Sequence, residues 1–368
     1  MRDGPKPLSF LLNYAGLQSL KVPDGAQHCG AVPADVLHDF VAGVKRYQTD
    51  LRPVFCSPRR GVCSIGPVRI DAPDALHNGH DPVVLLVPSL VNTSTVFDLA
   101  QGHSFFAFLQ HAGVYPLILD WGDLARDEEC QSLDDLVVKY LVPCLEDVAN
   151  LYQGPVHVLG YCLGGILSVA ACSIASDCVA SLTCLATPWD FSAGLGALAQ
   201  RSVFYRDRVH EYMASPEILK AEWVQSVFTS LNSDAIVKKF AAFSKVEHGS
   251  MRENLFVAAE DWINEGVDMR FDLACDLVER LFVSNEACRG ALRVAGVLID
   301  ASRIQQRAMV IASQRDVIVD FESAQALAGS LPNACMLAPD CGHVGMMAST
   351  QARVKVWENF VSWMKECA

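Results

Sequence analysis

Two hydrophobic periods alternate along this chain. Val83-Val84-Leu85-Leu86-Val87, Tyr115 to Trp121, Val156 to Gly160, Ala180 to Thr187 and Arg307 to Ser313 are short, almost continuous apolar runs rich in β-branched residues. Runs of that kind fit strands buried on both faces. Val62 to Ile70 and Ala334 to Ala338 add weaker strand patterns near either end. Between the runs, apolar positions recur at helical spacing over Ser104 to Ala112, Ser132 to Tyr152, the stretch after Cys162, and Phe321 to Ser330. The same spacing covers Gln351 to Lys365, where Val354, Trp357, Phe360, Val361 and Met364 share one face. Strands that alternate with helices predict an α/β fold whose central sheet is mostly parallel and covered on both faces. The sites of such sheets lie at the strand carboxyl ends.

Two parts of the chain break the alternation. Residues 1–65 carry weak helical patterning around Ala34 to Tyr47 and a Pro/Arg/Cys-rich loop at Arg52 to Cys63, and read as peripheral helices and irregular connection. From about Ser192 to Arg303, Phe228, Phe240, Phe243, Trp262 and Phe271 sit on helix-like patterns without convincing strands. That predicts a helical cap inserted over the sheet. The expected organisation is an N-terminal segment 1–65, a first core part 66–191, the cap 192–303 and a second core part 304–368.

One strand leads into a distinctive turn. Val156-His157-Val158-Leu159-Gly160 runs through Tyr161-Cys162-Leu163-Gly164-Gly165 into a small-residue helix pattern. Strand, tight turn and helix in this order have the form of the nucleophile elbow G-x-S-x-G, with Cys162 where serine would stand. The glycines have a physical task there. A residue perched on a sharp strand-to-helix turn takes a strained backbone, and its neighbours must have almost no side chain. Cys162 is therefore the candidate nucleophile. Val158 to Ala175, 18 uncharged residues, is the nearest approach to a membrane span. Its glycines and its elbow make a buried strand followed by a buried helix the better reading.

Composition narrows the function classes. A formal net charge of −13 leaves nothing to offset phosphate repulsion over a wide surface, which excludes a general nucleic-acid binder. The 14 cysteines lack C-x-x-C pairs, and 368 residues is far longer than a disulfide-stapled scaffold. Most of these cysteines read as small buried hydrophobes in a reducing compartment. His28, Cys29, His38, Cys56 and Cys63 are scattered, so no metal site is expected. Met1 to Leu20 lacks a basic n-region, a solid h-region and a small-residue cleavage site, so no signal peptide is expected and the chain is placed in the cytoplasm.

An elbow nucleophile needs an acid and a histidine after later strands, in that chain order. Asp316 follows one strand in Ser313-Gln314-Arg315-Asp316, and His343 follows the last in Pro339-Asp340-Cys341-Gly342-His343. Asp320 and Asp340 are competing carboxylates nearby. A neutral thiol is a poor nucleophile, so His343 would take its proton or hold a thiolate–imidazolium pair. Asp316 would fix the imidazole tautomer and stabilise its charge. The backbone N–H of Leu163, with a second from Leu90 or Val91 in the loop after the Val83 strand, would receive an oxyanion. This chemistry needs no metal and no cofactor.

At this point the motifs resemble a known family. The elbow Gly160 to Gly165, the Pro82 to Asn92 strand and loop, Leu119-Asp120-Trp121-Gly122, Ala186-Thr187-Pro188-Trp189-Asp190-Phe191, Trp262, and Pro339 to Gly345 together resemble the polyhydroxyalkanoate synthase family. The resemblance is to its short catalytic subunits in particular, which work beside a second subunit. It runs from about residue 65 to the C-terminus. Cysteine in the elbow is its most specific element, since lipases and esterases use serine there. The resemblance implies an α/β-hydrolase fold with a helical cap. It also implies acyl transfer from 3-hydroxyacyl-CoA, through a cysteine thioester, to the hydroxyl end of a growing polyester, with release of CoA. Cys162, Asp316 and His343 then correspond to the family's catalytic triad. CoA thioester enters as substrate, and the implied partners are the polyester chain, a second synthase subunit or a second copy, and the polyester granule surface. In the family a histidine commonly follows the triad aspartate and a proline comes shortly after; here those places hold Val317 and Asp320.

Three readings share these residues: the synthase; a cysteine-triad hydrolase, either thioesterase or intracellular polyhydroxyalkanoate depolymerase, in which water accepts the acyl group; and a catalytically idle scaffold or granule-surface partner. Hydroxyl or water is chosen by cap geometry and water access, which motifs do not describe.

Overall fold

The computed structural model describes residues 2–19, 34–194, 197–213 and 217–367. Among the described residues twelve strands occur, in chain order: β1 (Arg59–Ile65), β2 (Val68–Pro73), β3 (Val83–Val87), β4 (Tyr115–Asp120), β5 (Val156–Tyr161), β6 (Val179–Leu185), β7 (Ile218–Leu219), β8 (Met269–Arg270), β9 (Arg293–Val294), β10 (Val297–Leu298), β11 (Arg307–Ile311) and β12 (Ala334–Leu337). Eight of them form one sheet in the order β1-β2-β4-β3-β5-β6-β11-β12. β2 is antiparallel to β1 and to β4, and the other neighbours run parallel.

The continuous apolar runs explain the centre of this sheet. β3 and β5 are buried throughout, and successive residues serve opposite faces. Leu85, Leu117, Val158 and Val310 point into one core cluster, while Val84, Leu86, Leu159 and Ile311 point into another. Helices 133–151 and Leu163–Ile174 cover the first face, and Phe105–His111 with 353–365 cover the second. β2 reads differently: Val68, Ile70 and Ala72 are buried while Arg69 is exposed, the period-two pattern of a strand with one open face.

The order of the strands positions a crevice. From β3 the chain moves outward to β4, then returns to β5 on the other side of β3. The connections leaving β3 and β5 therefore diverge, and a cleft opens between their carboxyl ends, where sheets of this type bind ligands.

Three expectations need correcting. The Val62 to Ile70 pattern is a hairpin and not one strand, because Gly66 takes φ +56 and turns β1 into β2. The sheet thus begins at Arg59, inside the segment read as peripheral. Short strands also occur between 192 and 303: β7 pairs with β8, and β9 with β10. Two-residue strands are too short to show any period. Lastly, of the 13 described cysteines six are buried, four half-buried and three exposed, so fewer than half are the buried hydrophobes expected. Cys335, for instance, lies on β12 at the sheet edge, where one face stays open. His28 and Cys29 lie outside the described residues.

The helices Ala221–Leu231, Ser233–Phe243 and Met251–Asn264 lie beyond the strand carboxyl ends, and the N-terminal segment packs on them. Leu11, Phe40, Val44 and Tyr47 share a core with Val237, Phe240 and Phe243. Gly43 permits this close approach, since a Cβ there would overlap the Phe240 carbonyl. Each large side chain buried in such a cluster contributes on the order of 1.5–3 kcal/mol. Arg2 adds a fork to Asp261 at 2.5 and 2.7 Å.

His157 lies inside β5 with Ser181 Oγ 2.7 Å from its Nδ1, and burial pushes its imidazole down to about 4. A histidine in the unfolded chain titrates near pH 6.5 (about). The unfolded chain therefore takes up a proton that the fold refuses, so the fold is stabilised above that value and loses stability as pH falls toward 4. Urea unfolding between pH 7 and pH 4 should show the unaltered chain losing roughly 3 kcal/mol more than His157→Gln. Equal losses would remove the histidine from the acid sensitivity.

Candidate active site

Cys162 joins β5 to the helix Leu163–Ile174 at φ 56 and ψ −125. That backbone is costly for a residue with a side chain. The turn is held by the Cys162 N–H donating to the Leu185 carbonyl at 2.8 Å, and by the Gly165 N–H donating to the Cys162 carbonyl at 2.9 Å. A Cβ at Gly160 would lie 2.5 Å from Gly164 O and Gly165 Cα. At Gly164 it would meet the Val87 and Pro88 carbonyls, and at Gly165 the Thr187 side chain. The elbow therefore closes only with these glycines, and it sets the thiol at the cleft between β3 and β5.

His343, in the loop after β12, lines the same cavity as this thiol. Its Nδ1 lies 2.7 Å from Asp316 Oδ2. An ionised carboxylate can only accept, so Nδ1 carries the proton, and Nε2 is left for the thiol of Cys162, which lines the same cavity as His343. Asp316 Oδ1 accepts from the backbone N–H groups of Ile318 (2.8 Å) and Val319 (3.0 Å). Both carboxylate oxygens are thus held in place, with the side chain 1% exposed. Burial pushes the His343 imidazole down, but the facing Asp316 carboxylate and Cys162 outweigh it and raise it to about 10. The Tyr161 ring lies 5.3 Å from the imidazole, centre to centre and tilted by 42°, and its hydroxyl donates to the His343 carbonyl at 3.4 Å. Its burial beside Cys162 and Asp316 pushes the phenol far up, so it stays neutral.

Asp340 and three of the other histidines are engaged elsewhere. Asp340 is exposed and pairs with Arg315 at 2.5 Å. Asp320 stands before the helix Phe321–Ser330, its carboxyl pushed up by burial and by Glu322 and Asp316. His103 bonds the Met347 carbonyl, His77 that of Asp81 and His111 that of Ala107.

Of the two expected oxyanion donors, Leu163 follows Cys162 directly and Val91 lines the same cavity as the thiol. The Leu163 N–H, at the first helical position, has no partner within its helix. The Val91 N–H lies 3.5 Å from Ser89 Oγ, too far to be held strongly. The loop carrying Val91 is stitched to the helical layer: Asn92 Nδ2 donates to the Trp262 and Ile263 carbonyls (2.9 and 3.2 Å), Trp262 Nε1 to the Thr93 carbonyl (2.8 Å), and the Val267 N–H to the Val91 carbonyl (3.0 Å).

A cavity of about 260 Å³ opens over Cys162. Cys162, Tyr161 and His343 floor it, Gln225, Phe228 and Trp262 roof it, and Lys6 of the N-terminal segment stands at its side. Val317 is exposed at its edge. A smaller, largely apolar cavity of about 110 Å³ adjoins it, sharing Val91 and Phe228 and touching Leu163. The motifs mark the floor, whereas Gln225, Phe228 and Lys6 lie outside them. Their local patterns are those of ordinary helix and terminal residues, and only packing brings them here.

Residues 84–355 match the model of the alpha/beta hydrolase family. Poly(3-hydroxyalkanoate) polymerase subunit PhaC of Haloferax mediterranei is 24% identical over 298 residues, which is 78% of this chain and 59% of that protein. The PhaC subunit of Allochromatium vinosum is 24% identical over 320 residues, 84% of this chain and 89% of that one. The chain thus spans about three fifths of the haloarchaeal relative and most of the second. Among solved structures, BpoC of Mycobacterium tuberculosis H37Rv superimposes with a TM-score of 0.54 at 16% identity, over 83% of this chain and 98% of its own, a likeness of fold.

Proposed function

The chain belongs to the alpha/beta hydrolase family and is related in sequence to poly(3-hydroxyalkanoate) polymerase subunits, and from that premise we propose that it polymerises 3-hydroxyacyl-CoA into polyester through a thioester on Cys162. The observation that carries the reading is an elbow cysteine set against an imidazole whose other nitrogen bonds a buried carboxylate.

In this reading the Cys162 proton passes to His343 Nε2 and the thiolate attacks the thioester carbonyl. The Leu163 and Val91 N–H groups receive the oxyanion. The C–S bond to CoA breaks, and the CoA sulfur takes the proton back from the imidazolium. His343 then removes the proton of a chain-end hydroxyl, which attacks the Cys162 thioester; an ester forms, and the imidazolium returns its proton to the Cys162 sulfur. A thiol suits this task, because exchange between two thioesters is nearly isoenergetic and the acyl-enzyme stays activated toward a hydroxyl while water is kept out. The helical roof and Trp262 supply that cover.

The proposal places the protein in the cytoplasm at the surface of a polyester granule, beside a second synthase subunit or a second copy. No helix among the described residues is long and apolar enough to cross a membrane. Brief exposure to 3-hydroxybutyryl-CoA, followed by mass spectrometry of the intact protein and product analysis, tests the reading. Expected are an adduct on Cys162, released CoA and insoluble polyester. Soluble hydroxy acid in place of polymer makes the protein a hydrolase, and no adduct with no CoA release leaves only the scaffold reading.

A further inference from the structure

Gln225 holds a hydrogen-bond acceptor that the fold leaves unused. It lies in the helix Ala221–Leu231, is 6% exposed, and lines the cavity over Cys162. Its Nε2 donates to the Ile263 carbonyl at 3.0 Å. That bond decides the orientation of the amide, because the reverse would set two oxygens against each other. Oε1 is then buried with no hydrogen-bond partner among the described residues. Gly266 is fitted to the arrangement: a Cβ there would come within 2.5 Å of Nε2 and 3.2 Å of Cδ.

A buried carbonyl oxygen without a donor is costly, and such groups are rare enough in folded proteins to need an explanation. Three other polar side chains of the cavity have their donors engaged elsewhere. Thr229 gives its hydroxyl proton to the Lys6 carbonyl at 3.1 Å, Asn92 donates to the Trp262 and Ile263 carbonyls, and Lys239 is paired with Glu260. The donor has to come from outside the protein, and a ligand that displaces water from this cavity can bring it.

We propose that Gln225 Oε1 accepts a hydrogen bond from the 3-hydroxyl of the acyl group loaded onto Cys162, and so selects 3-hydroxyacyl thioesters over unsubstituted ones. This rests on the reading of Cys162 as the thioester-forming residue. With the acyl carbonyl at Cys162, the hydroxyl two carbons further on hangs in the same cavity that Gln225 roofs. Gln225 is then a specificity-determining residue that takes no part in bond making.

The test is single-turnover acylation of Cys162 by 3-hydroxybutyryl-CoA and by butyryl-CoA, followed by released thiol and intact mass. The unaltered protein should favour the hydroxyacyl thioester by about 10- to 100-fold, because butyryl leaves the buried oxygen unpaired. Gln225→Met keeps the volume and removes the acceptor, and should bring the ratio close to one by slowing the hydroxyacyl substrate alone. Asn92→Ala loosens the same Ile263 carbonyl without touching the acceptor, and should slow both substrates alike. Two results overturn the assignment: a ratio near one in the unaltered protein, which needs no variant, or an equal slowing of both substrates by Gln225→Met, as a purely structural role or a donor on the CoA moiety would give. If Cys162 takes up neither acyl group, the thioester reading itself falls, which is a distinguishable failure.

Discussion

A Cys162→Ala protein mixed with 3-hydroxybutyryl-CoA should show no acyl adduct and should release CoA at least about 10⁴-fold more slowly than the unaltered chain. The thiol is the one group in the floor of the cavity able to form the covalent bond; Tyr161 is held neutral by burial and His343 is bonded to Asp316. The remaining N–H donors of Leu163 and Val91 can still polarise a carbonyl, so a small residual rate is expected. The fold should survive, because alanine removes only the sulfur and meets the same φ of 56 that cysteine already tolerates. A change of about 1 kcal/mol or less in urea unfolding would separate lost chemistry from lost structure. Full CoA release by this variant would remove Cys162 from the reaction.

Asp316→Asn should lower acylation by roughly 10³- to 10⁴-fold with little change in substrate binding. The asparagine oxygen can keep the Ile318 and Val319 N–H groups, which turns its NH₂ toward His343 Nδ1. Nδ1 must then accept, the imidazole proton moves to Nε2, and the base meets the thiol with a donor in place of a lone pair. The same change removes the first of the charges that raise the imidazole to about 10, leaving burial to push it down. The sign for stability follows. The folded value lies above the unfolded one near 6.5 (about), so this group stabilises the fold fully at lower pH and its contribution is lost as pH rises toward 10. NMR titration of His343 and urea unfolding between pH 6 and pH 10 should both show the effect in the unaltered chain and lose it in Asp316→Asn. An unchanged rate would sink the assigned role of the carboxylate.

The site was legible wherever a local rule constrains a residue type. Gly160, Gly164 and Gly165 announce the elbow because the turn has no space for a Cβ, and a run such as Val83 to Val87 announces a strand because both faces are covered. Asp316 and His343 followed from chain order, although Asp320 and Asp340 stood nearby as competitors. Contact decided among them: Asp316 bonds His343, whereas Asp340 turns outward to Arg315. The roof was not legible. Gln225 sits in a helix whose sequence pattern reports burial but not against what, and its unpaired oxygen is a property of neighbours at positions 263 and 266. The N-terminal segment misled for the same reason. Its helices look peripheral in isolation, while Phe40 and Tyr47 find their apolar partners almost 200 residues away, at Val237 and Phe240.

By itself the sequence determined the parallel sheet, the elbow with Cys162 at its tip, and the chain order of acid and histidine, because those rest on period, steric space and connection rules that act over a few residues. Only the tertiary structure decided which carboxylate meets the imidazole, that residues near the N-terminus wall the cavity, and that the buried Gln225 amide oxygen is left without a partner. Those are matters of packing between distant segments, and local pattern carries the fact of burial without the identity of the partner.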